Sequence, residues 1–147
     1  MSNNSLEKYY ELSYYTLSLR DAAFIHQYFV DAYTAQNAWM DTRPIALTFA
    51  LAGLYLYIEK GYTGREVQLF HIKMSQRKRV WPKIDIPDER GSITITEVLH
   101  AAPGSQREVA IREWCNSVWK AYKPEFGIRK SVKEGIRKKK SGMIFSY

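Results

Sequence analysis

Pro44-Ile45-Ala46-Leu47-Thr48-Phe49-Ala50-Leu51-Ala52-Gly53-Leu54-Tyr55-Leu56-Tyr57-Ile58-Glu59-Lys60 is the stretch that decides how this chain folds. Residues 45–58 carry no charge, and on a helix their apolar side chains occupy nearly the whole circumference. That is the pattern of a central helix covered on all sides by others. Its length of 14 residues falls short of the roughly 20 that an apolar helix needs to cross a bilayer, so it reads as a core helix. Pro44 suits the first turn, where its missing N–H would have had no intrahelical partner. Gly61 supplies the left-handed residue that commonly ends a helix.

Working outward, Leu6, Tyr9, Tyr10, Leu12, Tyr14 and Tyr15 predict a first helix over 5–16. Ser18, with Asp21 three residues on, predicts the N-cap of a second helix over 19–38, with Ile25, Phe29, Ala32 and Gln36 along one stripe. Downstream, Thr63 and Glu66 have capping-box spacing and open a helix over 64–79, with Val67, Phe70, His71 and Met74 inward. Two prolines make residues 81–87 an extended covering loop anchored by Trp81, Ile84 and Ile86. A second box, Thr94 and Glu97, predicts a short helix over 95–101, with a brief strand over 93–96 as the alternative. Ser105 and Glu108 repeat the spacing before Ile111, Trp114, Cys115, Val118 and Tyr122 recur at helical intervals. Pro124 and Gly127 then interrupt, leaving a separate basic helix or a tail. The expectation is an all-α fold: a helical bundle of four main helices plus a short helix and an extended Trp/Pro loop. Residues 1–128 form a single helical domain in this reading, and 129–147 a basic C-terminal helix or tail.

With 46% apolar residues in a chain of 147, there is ample material for a core. The net charge is +7, but residues 129–140 hold seven Lys or Arg against one acid and so account for six of the seven charges. A basic field over the whole protein, as in a dedicated nucleic-acid binder, is therefore not expected. The single cysteine, Cys115, excludes an intrachain disulfide and a four-cysteine zinc site, and on its apolar face it reads as a small core residue. A polar N-terminus with no apolar h-region argues for a cytoplasmic protein. None of the glycines forms a P-loop or dinucleotide fingerprint.

Candidate functional residues concentrate on the second helix. His26, Asp31 and Gln36 lie along it, and Tyr33 and Asn37 share the His26 stripe. A bundle that points His and carboxylate groups inward can hold a divalent transition metal, with His26 and Asp31 as ligands, His71 as second imidazole and His100 as a third. Against this, no His-x-x-x-His or Glu-x-x-His pair is present, and buried polar groups are ordinarily hydrogen-bonded to their neighbours. Two basic clusters can meet a polyanion or an acidic protein: Arg77, Lys78 and Arg79 with Lys83, and Arg129 and Lys130 with Lys133, Arg137, Lys138, Lys139 and Lys140. A solvated helix end and a solubilising tail explain the same charges, and no helix-turn-helix or stacking motif accompanies them.

Three stretches carry a resemblance: His26-Gln27-Tyr28-Phe29-Val30-Asp31-Ala32-Tyr33-Thr34-Ala35-Gln36, Gly61-Tyr62-Thr63-Gly64-Arg65-Glu66-Val67-Gln68, and the segment from Trp81-Pro82 to Trp119. Within the last, Arg90-Gly91-Ser92-Ile93-Thr94-Ile95-Thr96-Glu97-Val98-Leu99 and Trp114-Cys115-Asn116-Ser117-Val118-Trp119-Lys120-Ala121 are the most specific. Together they resemble a bacterial family known only as domain of unknown function 5946. That resemblance implies a shared fold and brings no activity. The family pattern places a histidine after the glutamine of the first motif and histidines near 124–126, where this chain has Asn37 and Glu125-Phe126. If those histidines bind metal in the family, part of the set is missing here, with Asn37 and Glu125 left as oxygen donors. Two functional expectations follow. One is a small non-enzymatic binding or accessory protein, acting through the polar helix face or the basic tail and able to self-associate as a homo-oligomer. The other is a metal-dependent hydrolase or transferase resembling the DinB-like bundles, with His26, Asp31 and His71 at the metal.

Overall fold

The computed structural model describes the backbone of residues 3–77, 81, 83–122 and 126–145, and the side chains of 4–77, 81, 83–122 and 127–136. Among these residues the chain forms α1 (Asn3–Ser18), α2 (His26–Gln36), α3 (Pro44–Lys60), α4 (Gly64–Ser75), α5 (Ile95–His100), α6 (Ser105–Ala121) and α7 (Phe126–Phe145), and no strand. The all-α expectation holds. No helix among the described residues is long and apolar enough to cross a membrane.

Helix α3 is the central element. Leu47, Ala50, Leu51, Leu54, Tyr55 and Leu56 are buried, and α2, α4, α6 and α7 pack around it. Pro44 opens it as predicted, and Gly61 closes it at φ 69°, with the Tyr62 N–H bonding back to the Leu56 carbonyl at 3.0 Å. The Thr63–Glu66 capping box of α4 is formed in both directions: Thr63 Oγ1 accepts the Glu66 N–H at 3.1 Å, and Glu66 Oε1 accepts the Thr63 N–H at 3.0 Å. Thr94 and Glu97 do the same for α5, so the helix and not the strand forms there. Ile84 is buried, with Trp81 and Ile86 half-buried against the core, as expected of the covering loop.

Two helix starts differ from expectation. The second helix begins at His26 and not at 19: Ser18 belongs to α1, its Oγ donating back to the Tyr14 carbonyl at 2.6 Å, and so does not cap a second helix. Residues 19–25 then turn, with positive φ at Arg20 (50°) and Phe24 (58°). Contact with α4 imposes this turn: the Ala23 carbonyl accepts the Arg65 N–H at 2.9 Å, and a Cβ on Gly64 would lie 1.9 Å from the Phe24 carbonyl oxygen. For α6 the N-cap is Gly104, at φ 100°, and Ser105 is already helical, so the third capping box does not form. Arg107 instead turns back to close α5, donating from Nη2 to the Leu99 and Ala101 carbonyls at 3.0 Å each and from Nε to Ala101 at 3.2 Å. A cation at the carbonyl end of a helix is favourably placed. Helix α4 stops at Ser75, short of the predicted 79, and Lys78 and Arg79 lie outside the described residues.

Helix α7 lays Ile128 and Val132, both buried, along α3. Arg129 Nη2 and Trp119 Nε1 each donate to Glu59 Oε2 at 2.7 Å, tying α7 and α6 to the end of α3.

Candidate functional site

The residues proposed from the sequence separate into two groups. His26, Asp31 and His71 are each held by different neighbours. Half-buried His26 meets Thr16 Oγ1 through Nδ1 at 2.8 Å, and burial lowers its affinity for a proton below the ordinary value. His71 Nε2 donates to the Phe49 carbonyl at 2.7 Å, with its ring stacked on Phe49 at a centroid separation of 5.1 Å. Burial pushes its pKa down, partly offset by the Phe49 carbonyl, which favours the protonated ring. Asp31 is buried between α2 and α3. Its Oδ1 accepts from Gln27 Nε2 at 3.1 Å, its Oδ2 has no hydrogen-bond partner, and burial raises its pKa well above the carboxylate range. His100 is exposed at the end of α5. Among the described residues no three His, Cys, Asp or Glu side chains approach closely enough to hold a metal ion. His26, Asp31 and His71 are therefore not gathered around a common centre: His26 meets Thr16, Asp31 lies against Gly53, and His71 meets Phe49. Glu125 and the Phe126 side chain lie outside the described residues.

Cys115 is buried, its Sγ 3.5 Å from the Tyr28 carbonyl. Burial and the nearby Asp31 push the thiol well up, which keeps it protonated and unreactive.

Tyr33, Gln36 and Asn37, in contrast, come together at the C-terminal end of α2. They line an open cleft of about 940 Å³, whose other walls are the start of α1, the loop of residues 88–94 and the start of α5. Gln36 braces this region: its Oε1 accepts from Trp114 Nε1 at 2.8 Å, and its Nε2 donates to the Ile93 and Arg90 carbonyls at 2.7 and 3.2 Å. Both ends of the amide are thus committed to structure. Arg90 is the second brace. Its Nη1 donates to the Gln36 carbonyl at 2.9 Å and to the Ala38 carbonyl, and its Nε to Pro87 at 3.0 Å, so the carbonyl end of α2 is closed by a guanidinium. Asn37 is exposed on the wall, with Nδ2 donating to the Tyr33 carbonyl at 2.9 Å.

The sequence reading did not single out Lys8, Arg90, Trp39 or Thr96, all of which line the same cleft. Lys8 Nζ donates to Thr96 Oγ1 at 2.8 Å, linking α1 to α5 across 88 positions of sequence. No local spacing marks such a pair. Of the two basic clusters, Arg77 is half-buried and Lys130 and Lys133 are exposed, while the side chains of Arg137, Lys138, Lys139 and Lys140 lie outside the described residues.

No curated protein and no solved structure matches this chain. Residues 6–123 match the sequence model of a family of unknown function, DUF5946, a span that includes the central helix and both sides of the cleft, and the chain therefore belongs to that family.

Proposed function

We propose that this chain is a binding protein that works through the polar end of α2. The observation that carries this reading is the convergence of Tyr33 and Asn37 with Lys8 and Thr96 in one open cleft, framed by the Gln36 and Arg90 braces. Its volume of about 940 Å³ is within the range that small-molecule sites occupy. Among the described residues of the wall, Asp88 is the one carboxylate, and imidazole and thiol groups are missing. The wall therefore offers chiefly amides, hydroxyls and cations, groups that recognise a ligand by hydrogen bonds and charge.

Amide-resolved NMR with a library of small polar compounds tests it. Binding compounds are expected to shift resonances of Asn4, Tyr33, Asn37, Gly91 and Thr96 together. A library that moves none of them, or moves only residues elsewhere, would sink the reading. A second contact, between α7 and an acidic protein or polyanion, is supported by Lys130 and Lys133, which are exposed while Ile128 and Val132 of the same helix are buried. Heparin retention of the intact chain that weakens with salt and drops in a Lys130→Glu, Lys133→Glu variant is expected; salt-insensitive retention, or none, contradicts it.

A further inference from the structure

The cleft has a sign of charge and a flat surface, and together they specify a ligand class. We infer that it takes a small organic anion, a carboxylate or phosphate ester carrying a planar apolar group, with the anion at Lys8 and the plane against Trp39. The inference rests on the binding reading above.

Lys8 is half-buried, and its ammonium has three donors, of which the Thr96 hydroxyl takes one. Among the described residues no carboxylate lies within ion-pair distance of Lys8 or of Arg90. Lys8 is thus a cation lodged in a protein wall and held by one neutral oxygen, an arrangement that leaves charge to be met from outside, whereas Arg90 already meets the carbonyl end of α2. Asp88, the one acid of the wall, is exposed. Two cations to one acid give the wall a positive bias. Thr96 Oγ1 accepts from Lys8, which leaves its own proton to donate to the same anionic oxygen.

Trp39 supplies the second element. Its side chain is 60% exposed, although it belongs to the wall of a polar cleft, and among the described residues no aromatic ring or cation stacks on it. An indole left open beside a cationic pocket offers its face to a planar group while the anion is paired nearby.

The test uses the full chain and three probes of one shape: benzoate, phenyl phosphate and neutral benzamide. Binding is read from Trp39 fluorescence, with Trp39→Phe as the control that removes the signal, and from the NMR resonances of Lys8 and Thr96. At least one anion is expected to bind more tightly than benzamide, the better of the two showing whether carboxylate or phosphate is preferred. Lys8→Met and Lys8→Gln are expected to weaken that anion about tenfold or more, because a charge-assisted pair is lost, and to weaken benzamide by much less. Amide resonances away from the cleft that match those of the wild type show that the variants fold. If benzamide binds as well as the anions, or if neither Lys8 variant affects them, the charge assignment is overturned and the binding reading stands. If none of the probes moves a cleft resonance, this inference is overturned; if the polar library is silent there as well, the binding reading falls with it.

Discussion

At Asp31 a carboxyl group sits in the core with Oδ2 unpartnered, against the backbone of Gly53. A Cβ on Gly53 would lie 1.9 Å from that oxygen and 3.1 Å from Val67 Cγ1. Gly to Ala in a helix interior ordinarily adds up to about 1 kcal/mol of stability. Here Gly53→Ala is expected to destabilise by about 1–3 kcal/mol through overpacking, and most of that loss should disappear when Asp31→Ala is added, as a double-mutant cycle in urea would measure. The same carboxyl sets a pH dependence. Folding raises its pKa well above the ordinary 3.8, so the folded state holds the proton more tightly than the unfolded chain. Its contribution is fully present below the ordinary value and is lost as pH rises through the folded one. Asp31→Asn is therefore expected to gain stability on the wild type as pH increases from 4 to 8. Urea midpoints at pH 4 and pH 8 that differ equally from wild type would contradict this.

Among the elements, α5 depends most visibly on a distant residue. It has six residues, too few to be stable alone, and its carbonyl end is closed by Arg107 from α6. The guanidinium also lies over the Tyr15 ring, with its carbon 4.5 Å from the centroid, so one side chain joins α1, α5 and α6. Arg107→Met keeps the apolar stem and removes the donors. It is expected to cost about 1.5–3 kcal/mol, the range for hydrogen bonds made by a charged group. Hydrogen exchange should localise the loss to residues 95–101; uniform loss across the chain would mean that Arg107 supports the core as a whole.

For the whole molecule, α7 is part of the covering of α3. Ile128 and Val132 are buried and Ile136 is half-buried, whereas Lys130 and Lys133 face outward. A chain ending at Ile128 is expected to unfold at a clearly lower temperature than the full chain, because Val132 and the turn around it are gone. Equal melting of the two would contradict this. The two half-buried imidazoles, His26 and His71, act on the molecule in the opposite sense to Asp31. Their folded pKa values lie below the ordinary 6.5, so the unfolded chain takes up protons first and stability falls as pH drops below about that value. His71→Gln should flatten the fall between pH 7 and pH 5, as calorimetry would register; an unchanged slope would assign it to other groups.

Most of the helical architecture was legible because its signals are local. Residues 44–60 announce a central helix through their own composition, Gly61 ends it through its backbone freedom, and Thr63 with Glu66, or Thr94 with Glu97, cap a helix using groups three residues apart. The start of α2 was misread because its decisive partner is remote, Arg65 holding the Ala23 carbonyl, and that of α6 because Gly104 takes the cap while Arg107 turns back to the end of α5. The candidate site divides in the same way. The sequence alone determined that the end of the second helix would be polar, since Tyr33, Gln36 and Asn37 follow from helical spacing. Only the tertiary structure decided that Lys8, Trp39, Arg90 and Thr96 would meet them in one cleft while His26, Asp31 and His71 would not share a centre. The physical reason is that helical periodicity fixes which side chains share a face, whereas the packing of separate helices fixes which faces meet.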